Sequence, residues 1–195
     1  MFFNQKDHLG DKIFKRFPYI QIDDELLLRD VRLSDSNEYY SYINHPLVRK
    51  YIPDSCIPQS VAQAEKELSF FRGLHEKRIS VFWTIAEKES GKMIGACGFE
   101  KWTRFHKRLE IAYDINPDHW RKKVATRAIG AIINYGFKEM KAERIEAFLE
   151  PSNSPSAGLL LKLGFTKEAS LRKYRFFKGK HIDVDLYSIV KDEWK

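Results

Sequence analysis

Two rhythms of apolar residues trade places along this chain: short alternating runs, and longer stretches spaced by three and four. LLLRDVR at 26–32 reads as a first strand. Ser34 and Asp35 then open a helix over 35–43 that His45-Pro46 ends, and Leu47–Tyr51 adds a further helical turn. Ser60 is a natural N-cap for a helix over 60–77. Strands follow at 80–88 and 92–100, joined by a Ser90-Gly91 turn, and at 106–115. Between 124 and 140 the period changes. Ala125, Ala128, Ile129, Ile132, Ile133, Gly136 and Met140 line one face, as in a helix buried on one side. A strand at 143–150, a helix at 155–163 and a closing hairpin of 166–177 and 181–190 complete the chain. Pro155 suits a first helical position, which makes Ser154 the predicted N-cap of the 155–163 helix. The pattern predicts one α/β domain on a mixed sheet at 26–195, preceded by an N-terminal extension at 1–25. The extension has no clear period; its Phe14, Phe17, Tyr19 and Ile20 either cap the core or join a dimer contact, so monomer and homodimer both stay open.

Composition supports a packed domain. The chain has 195 residues, 43% hydrophobic and 14% aromatic, enough for a real core. No apolar run approaches the ~18–20 residues of a membrane span. The N-terminal MFFNQKDHLGDKIFKRF has charges inside its apolar stretch and no small-residue cleavage site, unlike a secretory leader. Cys56 and Cys97 lie far apart without metal spacing, and the six His are scattered singly; reduced thiols, no metal site and a cytoplasmic location are the expectation. The formal charge of +7 admits two explanations: a basic surface with a site for a highly anionic ligand, or an acidic partner such as ribosomal RNA. No RNA-binding signature accompanies it.

The densest chemistry lies at 110–126, EIAYDINPDHWRKKVAT. This reads as a strand, a short loop and a helix start crowded with Arg121, Lys122, Lys123 and Arg127. The first N–H groups of a helix have no intrahelical acceptor and the dipole is positive there, so a polyphosphate fits. A second helix start, NSPSAGLLLKLGF at 153–165, closes with Gly164. No G-x-x-x-x-G-K-[ST] and no post-strand G-x-G-x-x-G occurs, which disfavours nucleotide-phosphate enzymes.

Together these segments resemble the GNAT acetyltransferases, and within them the RimJ/RimL-like branch that acetylates ribosomal-protein N-termini. Glu110, Ile111 and Tyr113 match that family's E-I-G-Y strand, with Ala112 for Gly; Trp120, Lys122, Ala125 and Thr126 match its W-G-K-G-Y-A-T helix start. Asn153 and Ser156 match N-x-x-S; Leu160, Lys162, Leu163, Gly164 and Phe165 match L-x-K-L-G-F. Leu171, Arg172, Gly179, Asp183 and Tyr187 meet a later L-R … G … D … Y pattern. The resemblance spans roughly residues 25–195.

It implies a single-domain GNAT fold: a mixed, mostly antiparallel twisted sheet flanked by helices, split between two central parallel strands, here 106–115 and 143–150. It implies acetyl-CoA as co-substrate, with backbone near Ala112–Ile115 pairing with the pantetheine arm. Ile115, Trp120, Arg121, Lys122, Lys123, Val124, Ala125 and Thr126, with Asn153 and Lys162, are the expected cofactor contacts. Ser156 is the expected donor to the departing thiolate, and Glu110 or Glu150, with Glu146 beside them, the carboxylates that relay the amine proton. The implied reaction is acetyl transfer to a primary amine, foremost a protein or peptide N-terminus, with ribosome association as a partner expectation. Acceptor pockets are variable, here the loops 45–60 and 101–107.

Three positions depart from the family pattern. Lys123 stands where the family has Gly, Arg175 where some members have a catalytic carboxylate, and Leu160 where others have a Tyr. A residue with a Cβ is penalised at positive φ, so Lys123 is expected at an ordinary negative φ. The missing acid and base leave a rival reading open, a CoA-binding sensor or ribosome-associated factor without turnover. They also favour an acceptor that loses its proton easily, an α-amine rather than a lysine side chain.

Overall fold

The computed structural model describes residues 8–195. Its elements, in order, are α1 (His8–Phe14), β1 (Ile20–Gln21), β2 (Leu26–Arg29), α2 (Ser36–Ile43), α3 (Pro46–Arg49), α4 (Val61–Glu76), β3 (Phe82–Glu87), β4 (Met93–Thr103), β5 (Arg108–Ile115), α5 (Val124–Lys138), β6 (Arg144–Leu149), α6 (Ser154–Lys162), β7 (Thr166–Phe177) and β8 (Lys180–Val190). The elements predicted from periodicity are present, with ends shifted by a few residues. The strand expected from 106 starts at Arg108 because Lys107, at φ 48°, closes a turn onto the Arg104 carbonyl.

The eight strands form one sheet in the order β1-β2-β3-β4-β5-β6-β8-β7. Neighbours are antiparallel except β5 and β6, which run parallel. Each face of the sheet carries a core. On one face α5 sets Ala128, Ile129, Ile132 and Ile133 against Leu109, Ile111, Ile115 and Ile145. Gly136 lets this helix press onto the sheet beside the parallel pair, since a Cβ there would stand only 3.0–3.1 Å from Leu109, Ile145 and Phe99. On the other face α2 and α4 bury Tyr39, Tyr42, Ile43, Ala64 and Leu68 against Phe82 and Ala96.

Part of the N-terminal segment caps the first core. Ile13 is buried in it, and Phe14, Phe17 and Ile20 pack on its edge. The buried Trp83 indole donates to the Pro18 carbonyl at 2.6 Å, which ties the segment down. Tyr19 stays exposed and donates its hydroxyl to Asp30 at 2.7 Å. Residues 1–7 lie outside the described part. Among the described residues no helix is long and apolar enough to cross a membrane.

The irregularity that matters is between β5 and β6. Their ladder pairs Arg108 with Arg144, Leu109 with Ile145 and Glu110 with Glu146, and stops there. β5 stays paired to β4 as far as Ile115, and β6 to β8 as far as Leu149. The facing edges of Ile111–Ile115 and Ala147–Leu149 are therefore parted, and the helices that follow both strands begin at the open end.

Candidate active site

The first side of the opening is the loop from β5 into α5. Asn116 turns the chain by accepting the Asp118 N–H at 3.0 Å. The Trp120 indole then donates to the Ile115 carbonyl at 2.8 Å and folds the loop back on the strand end. Arg121 and Lys123 both adopt φ 59°, and Lys123 caps α5 with no side-chain hydrogen bond to the helix. The expectation of a negative φ at Lys123 was wrong. The chain has to pass from extended backbone at Trp120 into a helix at Val124, and it does so by left-handed steps at the two positions flanking Lys122. Each such step costs a residue with a Cβ about 1–2 kcal/mol. A left-handed residue followed by helical backbone, as at Lys123 and Val124, is the backbone geometry from which anion-binding nests are built, and it stands ahead of the open first turn formed by Val124, Ala125 and Thr126. Arg121, Lys122 and Lys123 are exposed around it. Arg127 is not free to join them: its guanidinium is held at 2.7 Å by both Asp23 and Glu25, contributed from the start of the chain.

The second side is the start of α6. Its cap is Asn153, not Ser154: the Asn153 amide oxygen accepts the Ser156 N–H at 3.3 Å. Pro155 brings no N–H of its own, so the amide reaches past it to the third helical position. Ser156 sits half-buried in this first turn, close to Tyr113 of the parted half of β5. Among the described residues the Tyr113 hydroxyl is buried without a hydrogen-bond partner. Burial pushes this phenol up to about 12, with the Ser156 hydroxyl opposing the rise. Lys162 is exposed in the last turn of α6, about 9 Å along the helix from Ser156.

At the vertex, where the β5–β6 ladder ends, lies a cavity of about 230 Å³. Glu110, Glu146 and Phe148 line it from the two strands, with Lys101, Arg108 and Tyr174 around them. Glu146 is buried and engaged by Arg108 at 3.3 Å and Arg144 at 2.7 Å. Glu110 is half-buried. Burial raises its carboxyl above the ordinary value; Lys101 and Arg175 oppose this, and Glu146 adds to it. Glu100 is raised likewise, first by burial and then by Glu110. Tyr174 lies parallel to Phe148, ring centroids 5.6 Å apart. On the same face of β5, Tyr42 donates to Asp114 at 2.5 Å, and burial lifts that carboxyl to about 7.

The fold thus gathers Ile115, Trp120, Arg121, Lys122, Lys123, Val124, Ala125 and Thr126 at one side of the opening, and Asn153 and Ser156 at the other. Glu110 is at the vertex with Glu146. Glu150 falls outside the cavity lining: β6 ends at Leu149, and the Glu150 carbonyl serves the turn into α6, accepting the Asn153 N–H at 2.9 Å. Leu160 is fully buried core, and Arg175 lies near Glu110 and Glu100. Alternation along β5 was enough to put Tyr113 on the α5 face with Ile111 and Ile115. Nothing local pointed to Tyr174, which reaches the cavity through a bulge in β7.

Comparison with known proteins agrees with this geometry. Residues 25–166 match the family model described as an acetyltransferase (GNAT) domain. The uncharacterized N-acetyltransferase YoaA of Bacillus subtilis (strain 168) is 33% identical over 175 residues, covering 90% of this chain and 98% of that protein. A GNAT-family acetyltransferase from Bacillus anthracis superposes with a TM-score of 0.78 at 26% identity, covering 90% of this chain and all of that one. RimL, a ribosomal L7/L12 α-N-protein acetyltransferase solved in complex with coenzyme A, shares the fold with a TM-score of 0.81 at 16% identity, over 90% of this chain and 99% of that one.

Proposed function

Because the chain belongs to the GNAT acetyltransferase family, we propose that it transfers the acetyl group of acetyl-CoA to a primary amine, foremost the α-amine of a protein or peptide N-terminus. One observation carries the reading: the parted β5 and β6 have an open, basic helix start at one end and a carboxylate-lined cavity at the other. The nest of Arg121–Lys123 and the first turn of α5 hold the pyrophosphate, as N–H donors with lysine charge around them. The edge of Ile111–Asp114 that β6 leaves unpaired is available to the pantetheine arm as to an added strand. RimL, with the same fold, binds coenzyme A and acts on an α-amine, in line with this choice of donor and acceptor.

The acceptor amine must be neutral to attack the thioester carbonyl. An α-amine has an ordinary pKa of about 7.7–8.0 against about 10.4 for lysine, so the neutral lysine is roughly 3–4 kcal/mol harder to supply at pH 7. The cavity favours the easier case. Lys101, Arg108 and Arg175 around Glu110 disfavour a charged amine and push its proton off. Glu110, raised by its own burial, receives the proton through water. As the C–N bond forms, the C–S bond breaks; the Ser156 hydroxyl donates a hydrogen bond to the leaving thiolate, which takes its proton from water. Leu160 and Arg175 contribute no acid or base, so the rate follows the amine's own ionisation and rises with pH toward 8–9.

A panel of peptides, free amino acids and small amines, read by release of free CoA, tests this. Expected is faster turnover of peptide N-termini than of lysine side chains at pH 7; the reverse order overturns the acceptor assignment. Acetyl-CoA binding with no turnover on any amine favours the rival reading of a CoA-binding factor.

A further inference from the structure

The charges around the cavity are unevenly committed. Glu146 is shared by Arg108 and Arg144, and Arg144 also grips Glu168 at 2.7 Å, so this carboxylate is neutralised within the protein. Glu110 alone faces the acceptor, with Lys101 and Arg175 nearby. Beside this cavity, sharing Leu171 and Tyr174 with it, is a wider recess of about 760 Å³ completed by Arg172, Lys173 and Asp183.

The recess is made by a bulge. Between the pairs Leu171–Val184 and Arg175–Ile182, β7 has three intervening residues and β8 has one, Asp183. Lys173 takes φ 49° to fit the excess, and the Asp183 carboxylate holds its backbone N–H at 2.8 Å. That contact leaves the Lys173 ammonium outside, and among the described residues neither Lys173 nor Arg172 has an ion-pair partner. Both are exposed, and Tyr174 beside them stacks on Phe148 at the cavity mouth. A β-bulge next to a site commonly re-aims side chains. Here it puts two cations without an ion-pair partner among the described residues beside a cavity whose uncommitted carboxylate is Glu110.

We infer that the preferred acceptor is a peptide whose N-terminal amine is followed closely by acidic side chains. The amine enters beside Glu110 and the acidic groups lie in the recess against Arg172 and Lys173. This deepens the transferase reading and rests on it for the amine's position. The inner cations that push the amine toward its neutral form also repel it while it is charged, and an attached anion offsets that repulsion on approach. A peptide with Lys or Arg in the same places meets like charge at the rim.

The test uses the full chain and three peptides that differ only at residues two and three: Ser-Glu-Glu, Ser-Gln-Gln and Ser-Lys-Lys starts. Expected is a kcat/KM order of acidic, neutral, basic, about tenfold between the extremes at low salt and shrinking at 0.5 M salt as screening shortens the reach of the charges. The double variant Arg172→Glu/Lys173→Glu is expected to reverse the order while leaving acetyl-CoA affinity unchanged. Turnover without charge preference, or a preference for the basic peptide, overturns this inference and leaves the transferase standing. Tighter binding of the acidic peptide in the presence of CoA, with no turnover, does the opposite. Faster turnover of free glutamate or aspartate than of the peptides assigns the anion to an α-carboxylate and overturns the peptide acceptor.

Discussion

Two helices begin at the same opening and are started in opposite ways. α6 is a satisfied helix start: Asn153 caps it, proline occupies a position with no N–H to lose, and the residue exposed to the opening is a neutral serine. α5 has no side-chain cap, two basic residues in left-handed conformation and lysines around its first turn. Both follow the C-terminal end of a parallel strand, so topology alone does not separate them. The cap does. A side chain that satisfies the first N–H groups closes the helix start to ligand, and one left open with local strain is held ready for an anion. On the proposed reading, that difference goes with charge binding at α5 and a hydrogen-bond donor to the leaving group at α6.

The largest effect expected on this contrast is chemical and confined to α6. Ser156→Ala removes the hydroxyl and keeps the backbone, so kcat should fall about 10²-fold, at the low end for a lost hydrogen-bond donor to developing charge, with acetyl-CoA affinity unchanged. Steady-state kinetics beside calorimetry checks both halves, and a matching loss of affinity would mean that α6 also binds. Reversing charge on the other helix should do the converse. Lys122→Glu should weaken acetyl-CoA by at least tenfold, ~1.4 kcal/mol, with a salt-dependent Kd; an unchanged Kd by calorimetry removes the α5 start from consideration.

Smaller effects separate the caps. Asn153→Ala should cost about 1 kcal/mol of stability through the lost cap of α6, read as a lower denaturation midpoint at constant m. Stability unchanged by that substitution would make α6 as open as α5 and erase the comparison. Smallest is Lys123→Gly. Relief of the left-handed step is partly offset by the greater freedom of glycine in the unfolded chain, so stability should rise by a few tenths of a kcal/mol. Acetyl-CoA affinity should stay within a factor of a few, because the backbone conformation is already the one glycine would take. A large gain in affinity would show that the lysine side chain obstructs the phosphate.

Much of this was legible in the chain because it is local. The alternation of β5, the three-and-four spacing of α5 from Ala125 to Gly136, and the polar starts of both helices follow from neighbours in sequence. So does the crowding of Arg121, Lys122 and Lys123 at a helix start. Reading failed where distant segments decide. Lys123 was expected at negative φ because a lone lysine prefers it, yet the docking of Trp120 on Ile115 and of α5 on the sheet leaves it a left-handed turn. Arg127 looked like one more phosphate ligand until the fold brought Asp23 and Glu25 to it from more than a hundred residues away.

The sequence by itself therefore determined the order of the elements, the amphipathic faces and the two helix starts, since each depends on contacts a few residues apart. Only the tertiary structure decided where the β5–β6 ladder stops, which carboxylate in the cavity stays uncommitted, and that the β7 bulge lays Tyr174 over Phe148. Those follow from register and packing between segments far apart in the chain, and register is a property of pairs of strands rather than of any one of them.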